Sequence, residues 1–248
     1  MNQAQLYSLY ESDPARVVAF LRYLTDVYSL SGRLHVLDVG CGPGRLLAPL
    51  TALGWTVTGL EPDPDYAEAA VRSAAGVEAV RVRRGGFDDI DESSAYDLVA
   101  AVNGPYSYLT TFEARRDAVG RATRALRPGG VLFLHFSNFW WILKNYREPP
   151  RRTVTVDGIA VTRTARHEID VHAGRFTHVD TFRWTDATGA DHELMKTHEM
   201  AMVTPPETER LLREAGLEDI RTFNGYEDRE PARLIGKTVL IAARRLTA

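Results

Sequence analysis

The sequence predicts an α/β fold: a mostly parallel sheet flanked by helices, interrupted late in the chain by an antiparallel β meander. Three observations carry this. Short apolar strands alternate with amphipathic helical stretches as far as Phe136. A glycine-rich turn, GCGPG, joins the first strand to a helix. Beyond Pro150 the helical spacing gives way to period-two patterning punctuated by hairpin turns.

Asp13 and Pro14 open the first long helix, a carboxylate able to cap free N–H groups and then a residue whose missing N–H is harmless there. Val17, Phe20, Leu21, Leu24, Val27 and Tyr28 follow at helical spacing, and Gly32 is expected to close the helix. Residues 34–39 form an apolar strand running into the glycine turn, and 45–53 a helix stopped by Gly54. Strand 56–60 ends at EPDP, where Asp63 and Pro64 start a helix that lasts to about Gly76. Residues 77–82 are a third strand. Residues 96–102 are a fourth, apolar throughout as burial on both faces requires. Helix 112–126 is terminated by RPGG, and 131–136 is the fifth strand.

Residues 138–150 are aromatic, with Phe139, Trp140, Trp141 and Tyr146, and end in two prolines. Strands 153–156 and 159–163 then flank Asp157–Gly158, a strong hairpin turn. Strands 163–171 and 175–186 flank Ala173–Gly174; read as a two-residue turn, this sets His167 opposite Asp180. Strand 192–203 completes a meander of about 50 residues. Thr204 and two prolines open helix 207–215, and strands 217–223 and 238–243 finish the chain. The expected divisions are 1–137, 138–203 for the insertion, and 204–248 for the return to the α/β layer.

Composition narrows the function. Of 248 residues, 44% are apolar and 25% charged, the ordinary globular range. A net charge of −3 argues against a nucleic-acid binder. The single cysteine, Cys41, excludes an internal disulfide. No apolar run has membrane-spanning length, and MNQAQLYSLYESDP lacks a basic start and an apolar core. A soluble cytoplasmic protein without nucleic-acid or membrane partners is the expectation.

The sharpest motif is VLDVGCGPG, residues 36–44, between a strand and a helix. Gly40, Gly42 and Gly44 let the backbone turn tightly and approach a ligand. Glu61 stands at the carboxyl end of the next strand, where an acid in such sheets hydrogen-bonds ribose hydroxyls. The GxGxG spacing differs from the dinucleotide pattern, and an acid, Asp38, precedes the first glycine.

Here the chain resembles the class I S-adenosylmethionine-dependent methyltransferases. VLDVGCGPG looks like their glycine loop, GLEP (59–62) like their ribose-binding strand end, AYDLVAAVNGPYSYL (95–109) like their fourth-strand motif, and LRPGGVLFL (126–134) like their turn into the fifth strand. The resemblance covers roughly residues 30–137 together with the C-terminal helix and strands. It implies a seven-stranded Rossmann-like methyltransferase sheet with the meander inserted as an acceptor-binding cap. It also implies S-adenosylmethionine as cofactor, S-adenosylhomocysteine as product, and roles for individual residues. Gly40, Cys41 and Gly42, supported by Asp38, would hold the methionine end. Glu61 would bind the ribose and Pro62 pack on the adenine. In GGFDDI (85–90) the acid usual for the adenine amino group is displaced, so Phe87 would pack on the ring and Asp88 reach the amino group. Val102 or Asn103 would lie near the methionine amino group.

A tyrosine-bearing segment with Tyr7 and Tyr10, then a helix, then the glycine loop resembles the small-molecule N-methyltransferases of the glycine and amino-sugar type. Their N-terminal segment closes as a lid, and aromatic faces stabilise the sulfonium cation; packing on a frayed terminus is the other reading of both tyrosines. In-line methyl transfer needs alignment above all, and a base only where the acceptor has a proton to lose. His135 at the end of the fifth strand and His198 on the last meander strand are the candidate bases, with Tyr106 a third catalytic candidate; Tyr106 and Tyr108 both follow the fourth strand and could line the pocket as aromatic wall. No metal site is expected. His192 and His198 share a face about 20 Å apart along their strand, and the GxSxG and HExxH motifs are absent.

The implied reaction is methyl transfer to a nitrogen or oxygen of a small-molecule acceptor, such as a natural-product or amino-sugar intermediate, with nitrogen favoured. The alternatives are a related fold with non-methylating chemistry and a non-catalytic cofactor-binding module. The meander's edge strands also offer a homodimer surface.

Overall fold

The computed structural model describes residues 1, 3–8, 13–156 and 158–246. In chain order these form α1 (Gln3–Ser8), α2 (Pro14–Val27), β1 (His35–Val39), α3 (Leu47–Thr51), β2 (Thr56–Glu61), α4 (Pro64–Ser73), β3 (Val80–Arg84), β4 (Tyr96–Ala101), α5 (Phe112–Ala125), β5 (Leu126–Ser137) and α6 (Phe139–Lys144). Then come β6 (Arg152–Val156), β7 (Ile159–Asp170), β8 (Arg175–Thr185), β9 (Asp191–Ala201), α7 (Pro205–Glu214), β10 (Leu217–Phe223) and β11 (Thr238–Arg245).

Seven strands make one sheet in the order β10-β11-β5-β4-β1-β2-β3, with β11 antiparallel to both its neighbours. Four make a second, antiparallel sheet, β6-β7-β8-β9. The expected α/β fold with an inserted meander is therefore the observed one. The alternation of side chains explains why the large sheet is covered on both faces. Leu37, Val39, Val99, Ala101, Leu132 and Leu134 point to the layer of α5 and α7. Val36, Leu98, Ala100, Val131 and Phe133 point to the layer of α2, α3 and α4. A strand buried on both faces is apolar along its run, which is how residues 98–101 of β4 read; Asp97 before them breaks the expected apolar run, is only partly buried, and pairs with Arg127 at 2.8 Å. Among the described residues no helix is long and apolar enough to cross a membrane.

The chain winds outward through β1, β2 and β3, then returns to place β4 on the other side of β1. This switch point opens a crevice at the carboxyl ends of β1 and β4. The caps follow the sequence signals. Asp13 accepts the Ala15 N–H at 3.0 Å, and Asp63 accepts those of Asp65 and Tyr66 at 3.0 and 3.2 Å.

The differences have local causes. Helix α2 ends at Val27, before Gly32, because Ser29 already takes a positive φ of 55°. The helices α1 and α6 are too short to show a helical period; α1 is held by Leu6, which packs with Val161, Phe182 and Trp184 of the small sheet. The β7–β8 turn is four residues long, 171–174, because the Asp170 carboxylate accepts the Ala173 N–H at 2.9 Å. The register moves accordingly. His167 opposes His178, not Asp180, and His178 opposes His198 on β9, so three histidines share one row.

Candidate active site

The glycine loop leaves β1 with Gly40 and Gly42 at φ +72° and +56°, and the Gly40 and Cys41 N–H groups both donate to the Leu60 carbonyl at 2.8 and 3.0 Å. A Cβ on Gly40 would lie 2.5 Å from Pro105. Glycine at that position thus lets the loop after β1 and the loop after β4 touch. Glu61, 6% exposed, accepts the Gly42 N–H through Oε2 at 2.8 Å and the Asp63 N–H through Oε1 at 3.0 Å. Burial raises its pKa against those two backbone bonds. Asp38 is 2% exposed, and burial together with the Glu61 charge pushes it up to about 7.

These groups line a cavity of about 490 Å³, within the size range of drug-sized ligand sites. Ten of the expected binding residues meet there: Asp38, Gly40, Cys41, Gly42, Glu61, Pro62, Phe87, Asp88, Val102 and Asn103. Tyr10 lies outside the described residues. The backbone of Tyr7 belongs to α1, and its side chain lies outside the described ones. Tyr108 lines this cavity as expected, and so do residues the sequence reading did not assign, among them Arg45, Tyr66 and Lys196. Lys196 shares the inward face of β9 with His198 at period-two spacing, and that was the signal available for it.

A second cavity of about 410 Å³ adjoins the first. It is lined by Ser107, His135, Phe136, Arg163, His178, Asp180, Phe182 and Met200, among others. The two cavities share Asn103, Tyr108 and His198 as a common wall. Asn103 holds φ +63°, and its N–H donates to His135 Nδ1 at 3.0 Å. Across the wall the Tyr108 hydroxyl lies 2.5 Å from His198 Nδ1. His198 is 8% exposed, and burial and the Lys196 charge lower its pKa to about 4, so the ring is neutral at physiological pH.

The three catalytic candidates separate here. His198 stands on the shared wall. His135 reaches the second cavity, but its Nδ1 already accepts from the Asn103 N–H, the Tyr226 hydroxyl crowds the same nitrogen at 2.6 Å, and burial lowers its pKa to about 4. Its visible work is to hold the strained turn at Asn103. Tyr106 is fully buried between Phe87 and Phe136 and lines neither cavity. The tyrosine at the site is Tyr108, two positions on, because the short 3₁₀ turn Pro105–Tyr108 rotates one ring into the core and the other onto the wall.

The polar side of the second cavity comes from the row of histidines. Asp180 Oδ1 accepts from Arg163 Nε at 2.5 Å, and Oδ2 lies 2.9 Å from His178 Nε2. Burial would raise the Asp180 pKa, but these two bonds hold it below the usual carboxylate range. His178 Nε2 also stands 3.1 Å from Arg163 Nη2, and its Nδ1 lies 2.7 Å from His167 Nε2, so the contacts run on from Asp180 through His178 to His167. The aromatic residues of 138–150 stand elsewhere. Phe139 packs on Phe176, and Trp140 and Tyr146 are exposed. Among the described residues no group of three His, Cys, Asp or Glu side chains is placed to hold a metal ion.

Comparison with known proteins places this geometry. Residues 36–130 match the family described as a methyltransferase domain. The chain is 31% identical over 123 residues to a ubiquinone biosynthesis O-methyltransferase of Bradyrhizobium sp. (strain ORS 278), covering 49% of this chain and 47% of the relative. The chain thus spans about half the length of the curated relatives it matches. A solved sugar N-methyltransferase from Streptoalloteichus sp. ATCC 53650 superposes with a TM-score of 0.79 at 22% identity, over 99% of this chain and 93% of that one. A solved amino pentose methyltransferase from Micromonospora echinaspora, with S-adenosylmethionine bound, does so with a TM-score of 0.77 at 23% identity, over 97% and 95%.

Proposed function

From the premise that residues 36–130 are a methyltransferase domain, on the class I fold of S-adenosylmethionine-dependent methyltransferases, we propose that this protein transfers a methyl group to a small-molecule acceptor. The acceptor atom is read as a nitrogen in preference to an oxygen, and the acceptor as an amino-sugar or natural-product intermediate. The likeness to a sugar N-methyltransferase and an amino pentose methyltransferase runs nearly the length of the chain, whereas that to an O-methyltransferase covers about half of it.

The observation that carries the reading is the wall shared by the two cavities. A cofactor at the glycine loop and an acceptor under the small sheet would meet at Asn103, Tyr108 and His198. The larger cavity fits S-adenosylmethionine by its chemistry. A glycine cradle that a Cβ would fill at Gly40, a buried carboxylate at Glu61 and apolar walls at Leu46, Phe87 and Leu109 suit an aminoacyl, a ribose and an adenine in turn. When bound, that cofactor supplies a methyl group on a positively charged sulfur and leaves as the neutral thioether.

The residues of this chain do the rest. Phe136, Phe182 and Met200 give the acceptor an apolar bed, and Asp180 with Arg163 and His178 hydrogen-bonds its polar groups. The Tyr108 oxygen receives the proton that the attacking amine or hydroxyl sheds, and His198 Nδ1 draws the phenol proton in turn. Alignment across the wall supplies most of the rate. A cytoplasmic location and a homodimer through the open edge at β6 belong to the same reading.

Methyl-labelled S-adenosylmethionine offered with a panel of amines, amino sugars and phenols tests it. The expected result is label in an amine product, lost when His198 and Tyr108 are both replaced. Label that never leaves the donor with any member of the panel, or cofactor turnover that deposits no methyl group, contradicts it.

A further inference from the structure

Along β9, Leu194, Lys196, His198 and Met200 turn inward while Met195 is 65% exposed. Leu194 packs against the apolar cluster of Leu6, Phe182 and Trp184. The next inward position would suit another apolar side chain, yet it carries a lysine whose side chain is only 16% exposed. A lysine on a sheet face ordinarily sends its ammonium to water. This one leans across the mouth of the larger cavity to the α/β core. Its Nζ donates to the Tyr66 hydroxyl at 2.6 Å, lies 4.0 Å from the Tyr66 ring centre and stands 3.9 Å from Asp63 Oδ2. Asp63 in turn donates its N–H to Glu61 Oε1. Glu61, Asp63, Tyr66 and Lys196 thus form one continuous rim, the first three from the end of β2, the cap of α4 and α4 itself, and the last from the inserted sheet.

Taking the larger cavity as an S-adenosylmethionine site, we infer that Lys196 is a cofactor-binding residue, supplied by the insertion to close the adenosine end of that site. The charge decides which end. An ammonium opposes the positive sulfur but suits ribose oxygens and adenine ring nitrogens, which are acceptors. The carboxylates of Glu61 and Asp63 offset its burial on that side. One consequence follows along the strand. Lys196 and His198 are inward neighbours on β9, so an adenosine held by Lys196 also fixes the strand that carries His198 to the shared wall. The insertion then reads the cofactor as well as the acceptor.

Calorimetric titration of the full chain with S-adenosylhomocysteine and with 5′-methylthioadenosine, which lacks the aminoacyl end, tests this. In Lys196→Met both ligands should weaken by the same factor, about tenfold or more, while Lys196→Arg keeps most of the affinity. Circular dichroism confirms the fold, and Lys196→Gln replaces the methionine variant if that one does not fold. Wild-type affinity in the uncharged variant, or a loss confined to S-adenosylhomocysteine, overturns the assignment and leaves the methyltransferase reading standing. Failure of the wild-type chain to bind either ligand overturns both.

Discussion

Asp38→Asn should make the cofactor-free protein more stable above neutral pH, with the gain growing as the pH rises from about 4 to about 7 and level beyond. The carboxyl is 2% exposed, and burial and the neighbouring Glu61 charge move its pKa from 3.8 to about 7. The folded chain therefore holds the proton more tightly than the unfolded chain does. This stabilisation is present in full below about pH 4 and is lost as the pH rises through 7. At about 1.4 kcal/mol per pKa unit, the ionised carboxylate makes the fold roughly 4 kcal/mol less stable at pH 8 than a neutral group would; between pH 5 and pH 8 the difference grows by roughly 3 kcal/mol. The lowered pKa values of His135, His167 and His198 act in the opposite sense, with stability lost as the pH falls below 6.5. The quantity to measure is therefore the difference between wild type and variant, by urea unfolding without cofactor at pH 5 and pH 8. The same variant should bind S-adenosylhomocysteine more weakly, as expected where a charge is kept buried for a ligand rather than for the fold. Parallel pH profiles for the two proteins would refute the reasoning.

Other consequences follow from the same geometry. Gly40→Ala forces a Cβ to 2.5 Å from Pro105 at a φ of +72° and should cost about 2 kcal/mol or more, read as a lowered melting temperature. Gly42→Ala, with nothing within 4 Å of the new Cβ but a φ of +56°, should cost only about 1–2 kcal/mol; equal losses would contradict the contact argument. Tyr108→Phe and His198→Asn should each lower kcat by about tenfold or more while leaving the S-adenosylhomocysteine dissociation constant within about twofold. Because His198 is already neutral, kcat/KM should show no rise between pH 6 and pH 8 from its titration. A step with a pKa near 6.5 that disappears in the His198 variant would show the ring to be more exposed to charge than its burial implies.

Much of this site is legible in sequence because its pieces are local. Strand, glycine loop and helix are contiguous from Val36 to Thr51, and the caps at Asp13 and Asp63 sit beside the prolines that announce them. What stays hidden depends on distance or on a single side chain. The contact of Tyr108 with His198 joins residues 90 apart in sequence, and that of Lys196 with Tyr66 residues 130 apart. The pairing of His167 with His178 depends on a turn length set by the Asp170 carboxylate, and a register error there moves every pairing between β7 and β8. Choosing between Tyr106 and Tyr108 needs the rotation of a short 3₁₀ turn, which composition does not encode.

The most direct measurement of the central claim is calorimetric titration of the wild-type chain and Glu61→Ala with S-adenosylhomocysteine. The Glu61 carboxylate pins the Gly42 N–H and the start of the Asp63 cap, so it shapes both sides of the cavity. One molecule should bind each wild-type chain, and the alanine variant should bind at least about tenfold more weakly. No binding by the wild type, or undiminished binding by the variant, would contradict the account.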